Sequence, residues 1–256
     1  MVKKLLCVAN ALLFVAVGSA VADAKLRNIP LPRLKPAVLL QSEPPPTKFE
    51  TVPFPPLNGK TSWLNATILA ERQECAQRLK GLPITYEPMA PIGQAGGCGA
   101  AAALKVSQIS GVTIIPAAEL TCYMTEALHG WLSSSVLPAA RLELKKRVVK
   151  INNASAYVCR RRNGLASGKL SEHAKANALD IATLGFDDGS SISIKGDWSG
   201  LKQLIGVSAQ GNFLRLIRRD ACIRFTTVLG PGSDPYHGDH FHIDVARRKN
   251  GYRICK

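Results

Sequence analysis

The sequence predicts an α+β fold: a small antiparallel sheet with helices packed around it and disulfides bracing it. Three observations lead to this prediction. Apolar residues recur at helical spacing mainly in the first part of the chain. Short β-branched segments bounded by turn residues dominate the later part. Helices that precede a run of strands are typical of α+β domains. The chain also holds seven cysteines, enough for a disulfide framework.

The first 24 residues have the pattern of a secretory signal peptide. Lys3 and Lys4 precede an apolar run over 5–17, and small residues follow it up to Ala24. The run is too short to span a bilayer, so we expect a periplasmic or secreted mature protein without a membrane span. Nine prolines then fall within residues 25–62 and predict a proline-rich linker before a globular domain over 63–256.

The cysteines agree with an exported chain. Cys7 would leave with the signal peptide, and an even number remains: Cys75, Cys98, Cys122, Cys159, Cys222 and Cys255. No two of them have the CxxC spacing of structural zinc sites, so disulfides are the better interpretation. From their order along the chain we expect the pairs Cys75–Cys98, Cys122–Cys159 and Cys222–Cys255, although sequence alone leaves other pairings open.

Two helices are predicted in the first half of the domain. One covers 66–79 and ends before Gly81. After a glycine-rich stretch and a strand over 112–115, Pro116 is predicted to start a second helix that reaches Trp131. Its apolar stripe consists of Leu120, Met124, Leu128 and Trp131. His129 lies in this helix, away from the other histidines, and is interpreted as a structural residue.

The second half alternates predicted strands and turns. Strands are expected over 147–151, 154–159, 178–181, 190–194, 226–229 and 241–245, the last of these ending the sheet. A turn at 152–153 separates the first two strands, and a hairpin turn at 187–189 separates the next two. One further helix is predicted over 209–218.

Two short stretches carry the chemistry of the chain. Along the strand that follows residue 239, side chains alternate between faces, so His240, His242 and Asp244 share one face while Phe241 and Ile243 enter the core. In the other stretch His173 precedes Asp180, a carboxylate among apolar residues that needs a partner if buried. Imidazoles with a carboxylate are the usual ligands of a catalytic zinc, so the sheet is predicted to carry a metal site.

Several segments resemble a known family. They are CGAAA (98–102), LTCYMTEALHGWL (120–132), AYVCRRRN (156–163), SEHAKANALDI (171–181), FLRLIRRDAC (213–222), TVLGPGSDPYHGDHFHID (227–244) and YRIC (252–255). Together they resemble the bacterial extensin-like C-terminal domain family over residues 70–256. The SxHxxxxAxD and HxH patterns also resemble the zinc peptidase clan that contains lysostaphin, D-alanyl-D-alanine carboxypeptidases and murein endopeptidases.

The resemblance to the clan implies roles for individual residues. It gives His173, Asp180 and His242 as the ligands of Zn²⁺, with a position left for water. His240 or Asp239 would act as the general base, and the two remain alternatives. Arg160 matches the substrate-binding arginine of the clan. The supporting residues would be Ser171, His237 and Asp244.

One position departs from the pattern of both families. They have glycine where this chain has Ala176. Glycine adopts positive φ angles easily and alanine does not, so the loop between His173 and Asp180 is expected to be slightly reshaped. Because all three ligand positions survive, we expect metal binding to survive, whereas hydrolysis depends on the reshaped loop.

The expected function is a zinc-dependent peptidase, either a carboxypeptidase or an endopeptidase, acting on peptidoglycan peptides in the cell envelope. The formal net charge of +15 favours peptidoglycan or another acidic wall polymer as the partner. The alternative is a non-catalytic wall-binding module with a structural or vestigial zinc site. Export and the absence of aromatic residues between the basic runs argue against nucleic acid as a partner.

Overall fold

The structure is a computed structural model that describes residues 53–55, 63–94, 97–198 and 208–256. The predicted signal peptide and nearly all of the predicted linker lie outside the described residues. Within the described ranges no helix is long and apolar enough to cross a membrane. The domain is α+β, as the sequence predicts.

The described residues contain five α-helices: α1 (Asn65–Leu79), α2 (Cys122–Trp131), α3 (Leu137–Ala139), α4 (Ile194–Asp197) and α5 (Ala209–Arg224). A π-helical turn, Leu132–Val136, joins α2 to α3, and a second, Ala140–Leu144, extends α3, so that the helical segment is continuous. Short 3₁₀ turns occur at Arg162–Gly164, Glu172–Lys175 and Lys249–Gly251. The first and last predicted helices are therefore confirmed as α1 and α5.

Eleven strands lie in the described part of the chain: β1 (Ile84–Pro88), β2 (Ile92–Gln94), β3 (Cys98–Ala100), β4 (Ala103–Ile109), β5 (Val112–Thr121), β6 (Val148–Ser155), β7 (Ala178–Phe186), β8 (Ser191–Ser193), β9 (Thr227–Leu229), β10 (Phe241–Asp244) and β11 (Ile254–Cys255). Nine form one sheet in the order β1-β4-β5-β6-β7-β10-β9-β11, with β8 also paired to β7. β2 and β3 form a separate two-stranded sheet.

The prediction of a small antiparallel sheet is wrong in size and in direction. The main sheet has nine strands and is mixed, because β5 pairs with β6 and β9 pairs with β11 in parallel. Parallel neighbours need a long crossover connection, and the helical segment from Cys122 to Leu144 supplies it between β5 and β6. β11, which was not predicted, follows β10 and adds the outer parallel strand.

Two boundaries also differ from the prediction. Residues 116–121 continue β5, and α2 begins only at Cys122, where the Thr121 hydroxyl accepts a hydrogen bond from Met124 N at 3.4 Å. The predicted turn at 152–153 lies inside β6, because both asparagines pair with β7 in a ladder that tolerates register shifts. In both cases sheet pairing outweighs the local preferences of proline and asparagine.

The core lies between the sheet and the helices α2 and α5. All four residues of the predicted stripe are fully buried: Leu120, Met124, Leu128 and Trp131. Trp131 donates its indole N–H to Ile217 O of α5 at 2.9 Å, and its ring meets Phe225 edge-on at 5.9 Å. These contacts fix α2 and α5 to each other on the core face of the sheet.

The disulfide pairing differs from the expected one at two of three bonds. Cys75 pairs with Cys122, and Cys98 pairs with Cys159, at Cα separations of 5.3 and 5.6 Å. The expected pair Cys222–Cys255 is confirmed, with its Cα atoms 6.1 Å apart. Order along the chain failed because α1 packs on α2, and because β3 packs on the 3₁₀ turn Glu172–Lys175, to which the segment just before Cys159 is also hydrogen-bonded. Cys98–Cys159 thereby anchors the segment that continues into Arg160.

Candidate metal centre

The three predicted ligands, His173, Asp180 and His242, converge at the junction of β7, β10 and the 3₁₀ turn Glu172–Lys175. β7 and β10 are antiparallel, and their register places Asp180 directly opposite His242. Directly paired residues on one face of a sheet bring their side chains together. His173 reaches the same point from the 3₁₀ turn, whose Ser171 hydroxyl accepts a hydrogen bond from His173 N at 3.3 Å.

The donor atoms of the three side chains form a close triangle. His173 Nε2 lies 3.1 Å from Asp180 Oδ1 and 3.1 Å from His242 Nδ1, and the third side, from His242 Nδ1 to Asp180 Oδ1, measures 2.9 Å. All three residues are buried. This buried His–Asp–His group, which we call the triad, can hold a metal ion.

Each imidazole of the triad has a partner on its other ring nitrogen. His173 Nδ1 lies 2.5 Å from the carbonyl oxygen of Ala156, which can only accept, so Nδ1 carries a proton. His242 Nε2 lies 3.2 Å from Asp244 Oδ2 and donates to that carboxylate. Metal-binding histidines almost always donate their second N–H to a carbonyl or carboxylate in this way. The outer contacts thus direct His173 Nε2 and His242 Nδ1 toward one point.

The triangle fits a tetrahedral zinc ion. Ligand atoms about 2.0–2.1 Å from such an ion lie about 3.3 Å from one another, only slightly farther than the distances in the triad. Three protein ligands of the His₂Asp type leave one coordination position open, which is the pattern of catalytic rather than structural zinc sites. The residues therefore fit the metal that the ligand chemistry implies.

Two residues of the triad have shifted pKa values. Burial disfavours a charged Asp180, but hydrogen bonds from His173 and His242 outweigh it and lower the pKa of Asp180 well below its usual range. Burial also disfavours a charged His242, but its hydrogen bonds with Asp180 and Asp244 outweigh this and raise the pKa of His242 to about 9. In the metal-free protein the proton on His242 therefore supplies the positive charge that a bound cation would supply.

The two candidate bases lie beside the triad. His240 Nδ1 donates to Asp239 Oδ1 at 2.8 Å, which places Nε2 on the triad side of the ring, 3.7 Å from Asp180 Oδ1. The hydrogen bond from His240 lowers the pKa of Asp239. His240 is thus oriented by Asp239, and the two residues form a dyad rather than two independent bases.

Arg160 reaches the triad from the segment that follows β6. Its Nη2 lies 4.0 Å from Asp180 Oδ2, and about a third of the side chain remains exposed. The Cys98–Cys159 disulfide and the hydrogen bond from Ser171 N to Arg160 O at 3.1 Å hold this segment in place. A cation at the mouth of the site can bind a carboxylate or polarise a carbonyl.

A second histidine–carboxylate pair was not recognised in the sequence. His237 Nδ1 donates to Asp234 Oδ1 at 2.6 Å, and the His237 ring lies 5.3 Å from that of His240 and 5.6 Å from that of His242. Burial lowers the pKa of His237, although Asp234 partly opposes this. His237 therefore supports the site by packing against both rings, and only the i,i+3 spacing from Asp234 could have indicated the pair.

Ala176 adopts the left-handed conformation that its position predicts. Its φ is 54° and its ψ is 27°, and its side chain is fully buried beside Ala100 and Ala103. Ala176 O nevertheless accepts a hydrogen bond from Thr121 N at 2.8 Å, and Ala176 N donates to His173 O at 3.1 Å. The turn therefore keeps the geometry that a glycine would allow, at a backbone cost of about 1–2 kcal/mol for an L-residue.

A family model described as the extensin-like protein C-terminus matches residues 73–256. The chain belongs to this extensin-like family. The match includes the triad, Arg160 and both histidine–carboxylate pairs of the extensin-like domain. No curated protein and no solved structure matches the chain.

The hydrogen bond between His242 and Asp244 gives a first test of the metal centre. Replacing Asp244 by asparagine keeps the shape of the side chain but removes the charge that orients and polarises His242. We expect zinc affinity to fall about 10- to 100-fold, measured by competition with a chromophoric chelator. Asp188→Asn, in the exposed turn between β7 and β8, is the matched control. Equal affinities for the two variants would show that Asp244 does not support a metal ligand.

Proposed function

We propose that the extensin-like domain is a zinc-dependent peptidase, a carboxypeptidase or an endopeptidase, that acts on peptidoglycan peptides in the cell envelope. The observation that carries the proposal is the buried His–Asp–His triad, in which Ala156 O and Asp244 bind the outer ring nitrogens of the two imidazoles. Its similarity to the ligand pattern of the lysostaphin and D-alanyl-D-alanine carboxypeptidase clan supports a hydrolytic role. Three disulfides and the signal-like N-terminus support a periplasmic or secreted location.

The residues around the triad supply what peptide hydrolysis needs. A zinc ion held by His173, Asp180 and His242 would polarise the scissile carbonyl and make a bound water acidic. His240 Nε2 would accept a proton from a water at this site, because its Nδ1–H is already donated to Asp239. Arg160 binds a substrate carboxylate or the carbonyl oxygen on which negative charge develops. The net charge of +15 favours approach to an acidic wall polymer.

The decisive experiment compares zinc content with release of peptide or glycopeptide fragments from purified sacculi. We expect one zinc per chain and fragment release that stops when zinc is removed. One zinc per chain without any release would favour the second candidate, a wall-binding module with a structural zinc. A chain that binds no zinc would overturn both functions.

Substitutions in the dyad assign the base. We expect His240→Ala to keep its zinc and to lower kcat about 10²- to 10⁴-fold, the usual contribution of a general base. Asp239→Asn should lower kcat less, because it removes only the orienting carboxylate. A larger loss for Asp239→Asn than for His240→Ala would make Asp239 the base. The control is His129→Ala, a histidine on α2 that bonds to Ser110 Oγ at 2.9 Å, away from the triad.

A further inference from the structure

The metal centre lies at one end of an antiparallel ribbon formed by residues 158–162 and 169–173. Backbone hydrogen bonds of 3.1–3.3 Å and one β-bridge set its register. The opposed pairs are Val158–His173, Arg160–Ser171, Arg161–Leu170 and Arg162–Lys169. The loop that closes the ribbon, 163–168, is exposed over its whole length. The ribbon therefore leads from the buried triad out to solvent.

One face of the ribbon packs against the domain. Side chains alternate between the two faces along each strand, and opposed residues share a face. Cys159 and Leu170 belong to the same face by this rule. Cys159 is bonded to Cys98 at the start of β3, and Leu170 lies next to Gly97. The second face is therefore the one turned away from β3.

The second face begins at the metal centre. His173 belongs to the triad, and the guanidinium of Arg160 lies 4.0 Å from Asp180. The register places Arg162 and Lys169 opposite each other on this same face, one step farther from the triad. We call these two residues the basic pair. Successive residues on one face of a strand are about 6.5–7 Å apart, so the basic pair lies about that far beyond Arg160.

The basic pair has no partner of its own. Arg162 and Lys169 are exposed, and within the described residues neither side chain has a hydrogen bond or an ion pair. Arg161, between Arg160 and Arg162, differs, because its guanidinium donates to Gly168 O and closes the loop. The two charges of the basic pair are therefore available to a ligand.

The surroundings of the ribbon supply no free carboxylate to neutralise the basic pair. Residues 156–171 contain four cations and no carboxylate, and residues 88–104, which include β2 and β3, contain no charged residue. The neighbouring carboxylates each face a cationic or imidazole side chain, in the pairs Glu172 and Lys175, Asp234 and His237, Asp239 and His240, and Glu119 and Lys105. The second face thus carries an excess of positive charge next to the metal centre.

We propose that Arg162 and Lys169 bind a second anionic group of the substrate and so select chains that carry one beyond the group bound by Arg160. At a spacing of about 6.5–7 Å, the two anionic groups would be about two peptide residues apart. The occupant is a carboxylate-bearing peptide chain of the wall polymer. Because the triad is buried, a chain can contact both it and the basic pair, whereas the flat surface of a bilayer cannot. The choice of this polymer rests on the proposed function, but the excess of positive charge does not.

The test is cosedimentation at 4 °C with purified sacculi, either native or with their carboxylates converted to amides. We expect wild type to prefer native sacculi, and Arg162→Gln/Lys169→Gln to bind them about fivefold more weakly, the effect of losing two exposed ion pairs. The matched control is Lys80→Gln/Arg141→Gln, which removes one exposed lysine and one exposed arginine from other elements and should stay within about twofold of wild type. Equal losses in both variants, no loss in the ribbon variant, or equal binding of native and amidated sacculi by wild type would overturn the proposal.

Two further measurements separate charge from folding and the polymer from a membrane. Arg162→Lys/Lys169→Arg keeps both charges, so we expect binding within about twofold of wild type. A loss as large as that of the glutamine variant would show that the charges are not what binds, and would overturn the proposal. Vesicles of anionic lipid that bind as tightly as sacculi, through the same two residues, would overturn the choice of polymer.

Fragment release from sacculi by wild type, measured separately at 37 °C, distinguishes this proposal from the proposed function. Binding that depends on the basic pair, without any release, refutes only the peptidase. Release together with binding that does not depend on the basic pair refutes only the second anchoring position.

Discussion

Replacing any one residue of the triad is expected to abolish stoichiometric zinc binding. A three-ligand site owes its affinity to all of its donors, and structural zinc sites bind with about 10–16 kcal/mol. We expect Asp180→Asn, which keeps the shape of the carboxylate, to lose zinc at concentrations that saturate the wild type. Metal content after dialysis measures the loss, and His129→Ala, a histidine outside the triad, should retain its zinc.

His242→Ala should also destabilise the metal-free protein. Asp180 is 5% exposed, and the side-chain atom nearest to its Oδ1 among its histidine contacts is His242 Nδ1, at 2.9 Å. Leaving a buried carboxylate without its charged partner costs about 3–5 kcal/mol. Denaturant unfolding in the presence of a chelator measures this cost. A metal-free His242→Ala variant as stable as wild type would show that the pair does not stabilise the fold.

The second large effect is a pH dependence that differs between the metal-free and zinc-loaded protein. In the metal-free protein the pKa of His242 is about 9, above its unfolded value of 6.5. Its stabilising contribution is therefore complete below pH 6.5 and is lost as the pH rises to about 9. At about 1.4 kcal/mol per pKa unit, we expect the free energy of unfolding to fall by roughly 3 kcal/mol over this range.

The zinc-loaded protein should not show this decline. Zinc requires a neutral His242, so no proton leaves the folded protein between pH 6.5 and 9, while zinc affinity rises up to about tenfold per pH unit. Unfolding curves at fixed free zinc should be nearly flat over this range. Parallel declines with and without zinc would mean that the metal does not displace the proton of His242. At acid pH both forms should lose stability, because the pKa of Asp180 is lowered and its contribution disappears as it becomes protonated.

The sequence determined the elements whose signals are local. Alternation along β10 correctly placed Phe241 and Ile243 in the core and His242 and Asp244 on the opposite face. Helical periodicity identified the buried face of α2 at Met124, Leu128 and Trp131, although Leu120, the first residue of the predicted stripe, lies on β5. The spacing of histidines and carboxylates selected the residues that the structure brings together, because their residue types limit the chemistry they can perform.

Only the tertiary structure decided features that depend on contacts between distant segments. The parallel pairing of β5 with β6 and the disulfides Cys75–Cys122 and Cys98–Cys159 follow from long-range packing, across 47 and 61 residues for the two disulfides, which local patterns do not encode. Hydrogen bonds to Ala156 O and Asp244 determine which ring nitrogen of His173 and of His242 faces the metal position. Ala156 O is a backbone atom, so no residue type in the sequence could have predicted its role. The sequence by itself thus determined which side chains can form the site, and the long-range pairing of β7 with β10 decided that they meet, because the register of these strands places Asp180 directly opposite His242.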